Sequence, residues 1–476
     1  MAAAGLWRAV ASRSSSLGAD LQALAAIQHA AGCSQLMQLS SSLSNPWQCR
    51  QLSTSSSSSS SSAAPASAAE VATSDSSLRL NLQAPADEQG LVSSLITKHS
   101  SKQLAAEHIG LYYDFNKALV PEAFRPFHQA FYSPRPAKLQ RRGGCRSLQA
   151  EFDSTGSSSL MWRRSSQELA AAISSSSSEP PAIHLRGPAG AGKSIAVVQL
   201  VEWARNNGWL ALYIPAAVEL TRGGFFYKRD DGTYDTIISA QHILKSFADS
   251  HDKQLAGHRL QLPESLQLLQ SPAAAAAVGG AAGGAAVSEG RDSLRDLVMT
   301  GLSTDDNARL AVDCCLLLVK ELAALSASVP VLLAVDGYNA LHWRSDYGRT
   351  ISRSPRGKPA YQYRQELPVH KLNLARGFRL LQRDDLAQCR VLVADSASGA
   401  VPADLAVPNK AAAEYHMPRF SPVETAHALF YYHERGLVPA PPSQQQVAAM
   451  RALTNGSGEE LRRWSVSITQ TGMGLL

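Results

Sequence analysis

Paired cysteines, acidic charge near the N-terminus and long apolar runs are what this chain lacks. Its six cysteines include no CxxC pair, which excludes a thiolate zinc site or dithiol redox centre of the usual spacing, and they suggest no disulfide framework. Cys33 and Cys49 lie in the leader described below, Cys314 and Cys315 inside an apolar helical pattern, and Cys389 opens an expected strand. The thiols therefore read as reduced and mostly buried, as in a reducing compartment. The longest candidate for a membrane span, Pro272 to Val287, is Ala and Gly. It is too short and too weakly apolar to cross a bilayer, so no membrane partner is expected. No internal repeat of the solenoid kind is visible.

Acid is scarcest at the start. The first fifty residues hold Arg8, Arg13 and Arg50 against Asp20 alone, amid abundant Ser and Ala. An Arg-rich, Ser-rich, acid-poor leader with apolar residues on one helical face is the composition of an organellar transit peptide, mitochondrial in first place because a cationic helix is drawn toward the negative matrix side of an energised membrane, with the Ser-rich plastid leader as the alternative. Arg50-Gln51-Leu52-Ser53 resembles a processing site. A compact apolar core ending at Ala-x-Ala, as in a secretory signal, is missing.

What is present is core material and a basic balance. Hydrophobic residues make up 45% and the net charge is +6, which permits an acidic partner such as RNA without selecting one. Composition breaks divide the chain into a leader at 1–52, a Ser/Ala-rich linker at 53–78 and an N-terminal extension at 79–178. A nucleotide-binding domain at 179–415, carrying an Ala/Gly-rich insert at about 272–290, precedes a helical subdomain at 416–476. The serine runs and the insert, the latter too poor in side chains to build a core, read as loops or lineage-specific insertions.

One motif dominates. Ala182 to Leu185 reads as a short strand, and Gly187-Pro188-Ala189-Gly190-Ala191-Gly192-Lys193-Ser194 fits G-x-x-x-x-G-K-[ST] without exception. Glycines let backbone N–H groups close around phosphate oxygens, Lys193 would reach the β and γ phosphates, and the Ser194 hydroxyl would ligate Mg2+. A helical pattern through Ile195, Val198 and Val201 stops at Gly208, and Trp209 to Ile214 is an apolar run of strand length ended by Pro215. Strand, glycine loop, helix and strand make a parallel βαβ unit with its phosphate site at the carboxyl ends of the strands. The expected nucleotide-binding set is Gly187, Gly190, Ala191, Gly192, Lys193, Ser194 and Ile195.

Val331 to Asp336 reads as a buried strand ending in an acid, which supplies the carboxylate that holds Mg2+ together with Ser194. Gly337 follows where strongly hydrolytic relatives place Glu, so the site suits holding nucleotide better than turning it over. His342 and Glu366 are nearby in sequence and could substitute. A third strand, Cys389 to Ala394, ends in Asp395-Ser396, and Ser396 is a candidate sensor of the γ-phosphate. Asn409-Lys410-Ala411-Ala412 lacks the carboxylate of a Ras-type guanine motif. Residue patterns therefore leave GTP or GDP against ATP open.

Near the C-terminus, Ser421, Pro422 and Glu424 form an N-cap, first helical position and capping box. Helical patterns continue to Arg435, from Gln444 to Leu453, and from Glu459 to Ile468. Two stretches are basic: Arg135, Lys138, Arg141, Arg142 and Arg146, and, after Asp336, Arg344, Arg349, Arg353, Arg356, Lys358 and Arg364. Trp343, Tyr347, Tyr361 and Tyr363 are interleaved with the second, a composition suited to phosphate backbones and unstacked bases.

With these residues laid out, the chain from about Ala106 onward resembles the death-associated GTP-binding protein family of the mitochondrial ribosome's small subunit. The most specific piece is Leu332-Leu-Ala-Val-Asp336-Gly337-Tyr-Asn339-Ala-Leu341, close to the family's A-V-D-G-x-N-A-L. Trp209 to Pro215, the P-loop, Tyr431 to Leu437, Thr454-Asn-Gly-Ser and His108 to Tyr113 support it. The resemblance implies an α/β P-loop NTPase fold related to AAA+ proteins: a parallel sheet flanked by helices, with an N-terminal extension and a C-terminal helical subdomain. It also implies guanine nucleotide with weak or no hydrolysis, and ribosomal proteins and small-subunit rRNA as partners in the matrix. The competing expectation is a free mitochondrial NTPase that cycles between conformations.

Overall fold

The computed structural model describes residues 95–125, 144–175, 182–222, 225–279, 291–304, 306–350, 364–386, 388–397, 405, 407–409 and 412–471. The leader, the serine runs, most of both basic stretches and residues 280–290 of the insert lie outside them.

Five strands form one all-parallel sheet: β1 (Ala182–Arg186), β2 (Leu210–Ile214), β3 (Val331–Asp336), β4 (Arg390–Ala394) and β5 (Ala413–His416). Their spatial order is β5-β1-β4-β3-β2. Side-chain alternation splits each strand between two cores, because successive residues point to opposite faces. Leu210, Leu212, Val331, Leu333, Val335, Val391 and Val393 join one core. Ala211, Tyr213, Leu332, Ala334, Leu392 and Ala394 join the other. Both sets are apolar because helices cover both faces, the reason parallel strands read as unbroken apolar runs. This is the α/β class expected of a P-loop protein.

Helices α1 (Arg146–Thr155), α2 (Arg164–Ser174) and α3 (Lys193–Asn206) lie on the second face. On the first lie α4 (Ile237–Leu255), α5 (Leu294–Leu302) and α6 (Ala308–Leu325), the last burying Cys314 and Cys315. The extension packs onto the P-loop helix through two tethers. Arg205 donates to Glu122 and to the carbonyls of Leu119 and Ala211, and Glu202 accepts from Tyr113 Oη and the Asn116 N–H.

Three C-terminal helices, α7 (Pro422–Glu434), α8 (Gln444–Thr454) and α9 (Gly458–Thr471), share a third core with Tyr112 and Met161. The capping box opens α7 as expected: Ser421 Oγ accepts from the Glu424 N–H, and Glu424 accepts from the Ser421 N–H. One expectation fails. Pro272–Gly279, the part of the Ala/Gly insert that is described, is a helix with Ala274 fully buried, not a loop. Alanine is the strongest helix former, and Pro272 occupies a position where its missing N–H costs nothing.

Candidate nucleotide site

Register brings the site together. Ala394 lies opposite Leu185 on one side and Asp336 on the other. The loop after β1, the acid of β3 and the Asp395-Ser396 tip of β4 therefore emerge level, at the carboxyl edge of the sheet. That edge gathers the residues proposed from sequence.

The loop from Gly187 to Gly192 leads straight into α3, whose N-cap is Gly192 and whose first residue is Lys193. Gly190 has φ +72, and a Cβ there would stand 2.0 Å from Ser457 Oγ. The loop needs glycine both for its left-handed backbone and for the close approach of the C-terminal helices. Lys193 Nζ donates to the carbonyls of Gly187 at 2.7 Å and Pro188 at 2.9 Å. Burial lowers the pKa of this lysine, while the carboxylates of Asp336 and Asp395 act to raise it.

Asp336 is buried, with the Ser194 hydroxyl, the Gly337 N–H and Lys193 favouring its ionised form. Burial pushes its carboxyl up to about 6; Ser194, Gly337 and Lys193 pull the other way. A carboxylate and a hydroxyl beside a lysine fit Mg2+, which takes one or two protein oxygens and completes its shell from phosphates and water. Among the described residues no three His, Cys, Asp or Glu cluster into an all-protein metal cage. Ser194 and Asp336 would hold the ion, which when bound would neutralise phosphate charge.

Gly337 takes φ +74 and turns the chain away from the strand. Asn339 in that turn exchanges two hydrogen bonds with Ser396, its amide donating to the Ser396 carbonyl at 2.8 Å and its Oδ1 accepting from the Ser396 N–H at 2.9 Å. His184 Nε2 lies 3.0 Å from Asp395 Oδ2 beneath this point. His342, named from sequence as a possible substitute base, packs against Tyr338 with its pKa lowered to about 4, chiefly by burial. Glu366, the other substitute, is exposed on a two-stranded ribbon with residues 348–350.

Sequence reasoning missed several residues. Arg163 is buried and joins three parts of the fold. It donates to the Ala191 carbonyl in the P-loop at 2.7 Å, to Glu424 on α7 at 2.9 Å, and to the Pro418 carbonyl at 3.0 Å, and its guanidinium lies over the Phe420 ring. The Gly458 N–H donates to the Gly190 carbonyl at 3.0 Å. The C-terminal helices are thus bonded to the phosphate loop itself.

A cavity of about 140 Å³ opens beside the loop, lined by Gly190 to Ala196 and Gln199, by Tyr112 and Glu151 of the extension, and by Phe420, Tyr432 and Arg462 of the helical subdomain. Gly187, Asp336 and Ser396 are not among its lining residues. No local pattern could have announced it, since its walls come from three distant stretches of chain.

Residues 160–358 match the family described as mitochondrial ribosomal death-associated protein 3. Over this segment, less than half of its length, the chain is similar to that family. The match runs from the strand before Arg163 past the P-loop and Asp336. Among curated proteins none matches the chain. The matched segment includes the residues that carried the resemblance, above all Asp336-Gly337 and Asn339, the last of which exchanges two hydrogen bonds with Ser396.

Proposed function

We propose that this protein is a structural component of the small subunit of the mitochondrial ribosome, holding a guanine nucleotide and Mg2+ in its P-loop and supporting mitochondrial translation. The observation that carries the nucleotide reading is the register that sets the Gly187–Gly192 loop, Lys193 at the head of α3 and the buried Asp336 level at one edge of the sheet, with glycine at 337 in place of a carboxylate. The site can bind charge firmly and lacks a base at the usual place, so hydrolysis is slow or absent. Nucleotide then acts as a folding ligand, stabilising the host by roughly 3–4 kcal/mol at a hundred to a thousand times its dissociation constant.

The match to a mitochondrial ribosomal family supports ribosomal partners and a mitochondrial location; small-subunit rRNA as a partner and the matrix as the compartment are the finer parts of the proposal. Among the described residues no helix is long and apolar enough to cross a membrane. Of the second basic stretch, Arg344 is described, its guanidinium 5.0 Å from the Trp343 ring centre, a pairing suited to RNA phosphates and bases. The test is cosedimentation of the full chain with mitochondrial small subunits at high salt, alongside Lys193→Ala. Stable association weakened by the substitution supports the reading. A chain that stays free and turns over GTP rapidly would instead be an NTPase that cycles.

A further inference from the structure

The cavity begins at the phosphate loop, at Gly190 to Ser194, and extends from it between largely apolar walls. One water needs about 10–15 Å³ of such space, and this cavity has about 140 Å³. It borders Ser194 and Ile195, where a phosphate chain seated in the loop must leave it. Its walls include Phe420, Tyr432, Tyr112, Met161 and Met417, surfaces suited to a flat ring system.

Two ionisable groups face one another there, Glu151 with its carboxyl pushed up to about 7 by burial while Tyr432 and Arg462 pull it down. Glu151 on α1 accepts from Tyr432 Oη at 3.0 and 3.2 Å, and Arg462 Nε on α9 lies 3.7 Å from Glu151 Oε2. Both side chains are mostly buried. The tyrosine hydroxyl supplies one proton, and an ionised carboxylate has about four acceptor positions, so Glu151 has capacity for further donors. Arg462 spends one donor on Ser154 Oγ at 2.9 Å and has others to give. Several other polar lining groups are committed elsewhere. Gln199 bonds Ser166 and the Met161 carbonyl, Arg163 bonds Glu424, and Glu459 is paired with Arg463 near solvent.

We propose that Glu151 and Arg462 read the base of the bound nucleotide in this cavity and select guanine over adenine. The inference rests on the nucleotide-binding reading above. Guanine presents two adjacent donors, N1–H and the 2-amino group, followed by the O6 acceptor. A carboxylate beside a guanidinium offers the complementary run. Adenine offers an acceptor at N1 and a donor at N6, so it sets a lone pair against the carboxylate and a donor against the arginine. A site built to hydrogen-bond one edge rejects the analogue lacking it far more strongly than an apolar pocket does.

The test is titration of the full chain with GTP, ATP, ITP, XTP and inorganic tripolyphosphate in Mg2+. Wild type binds GTP at least about tenfold tighter than ATP, with ITP weakened because it lacks the 2-amino donor. Glu151→Gln weakens GTP by roughly 10- to 100-fold and tightens XTP, whose 2-oxo group accepts from the new amide. Tripolyphosphate binds wild type and variant alike, which shows the P-loop intact. If Glu151→Gln abolishes tripolyphosphate binding through misfolding, Arg462→Met carries the test, weakening GTP but not tripolyphosphate. Equal GTP and ATP affinity in wild type, or equal losses for both in the variant without a gain for XTP, overturns the proposal while leaving nucleotide binding standing. Failure of every nucleotide and of tripolyphosphate to bind wild type overturns both.

Discussion

Arg163 and Glu424, far apart in sequence, form a buried ion pair at 2.9 Å directly behind the phosphate loop. Glu424 also caps its own helix through the Ser421 N–H at 2.8 Å. One carboxylate therefore starts α7 and fixes that helix to the arginine that holds the Ala191 carbonyl. Loop shape and docking of the C-terminal helices are coupled through two side chains.

Breaking this pair leaves one buried charge unmatched. Arg163→Met is expected to destabilise the protein by about 3–5 kcal/mol and to weaken binding of Mg-GTP. Adding Glu424→Gln recovers part of the loss, because the orphaned charge is then gone. Urea unfolding of both variants measures it, and equal stability of the two would contradict the coupling.

The Asn339–Ser396 exchange makes a second link, between the turn after Asp336 and the tip of β4. Asn339→Ala removes both bonds at a cost of roughly 1–3 kcal/mol. It is expected to weaken nucleotide more than it lowers the melting temperature of the free protein, since in the proposed reading the turn lies beside the γ-phosphate. Thermal unfolding with and without Mg-GTP separates the two effects.

The Lys193 ammonium donates to two loop carbonyls. Lys193→Ala should leave the nucleotide-free protein nearly as stable as wild type and abolish the thermal shift from Mg-GTP. Saturating nucleotide would give wild type about 3–4 kcal/mol of stabilisation. A full shift in the variant would mean that phosphate binds elsewhere.

Glu219 follows β2, beside the Asp336 turn, and burial raises its carboxyl to about 8, with Arg146 and Arg222 pulling the other way. Its folded pKa exceeds the unfolded one, so the native state holds a proton the unfolded chain has released between about 4.5 and 8. Stability from this group is present in acid and lost as pH rises through 8. Glu219→Gln should stabilise the protein at pH 8.5 by roughly 1–3 kcal/mol and make no difference near pH 4. Melting curves across that range check the sign.

The sheet and phosphate loop were legible because their chemistry is local. Glycine spacing sets the loop, and the apolar runs at 210–214 and 331–336 mark strands buried on both faces. Edge strand β5 was not, since Ala413-Glu-Tyr-His416 lies half in solvent and carries no such run. Glu424 was legible as a cap but not as the partner of Arg163, because only the fold brings those two together. The insert shows the converse error: low complexity was read as loop where alanine favours helix. Glu151 and Arg462 gave no signal, because a cavity wall assembled from separate helices has no sequence spacing.

The central claim is that nucleotide is held, not cycled, within the small subunit. Its most direct test is mass spectrometry of nucleotide extracted from purified mitochondrial small subunits, quantified against this protein. The account predicts one guanine nucleotide per copy, lost with Lys193→Ala. Stoichiometric protein without nucleotide, or absence of the protein from every ribosomal fraction, would contradict it.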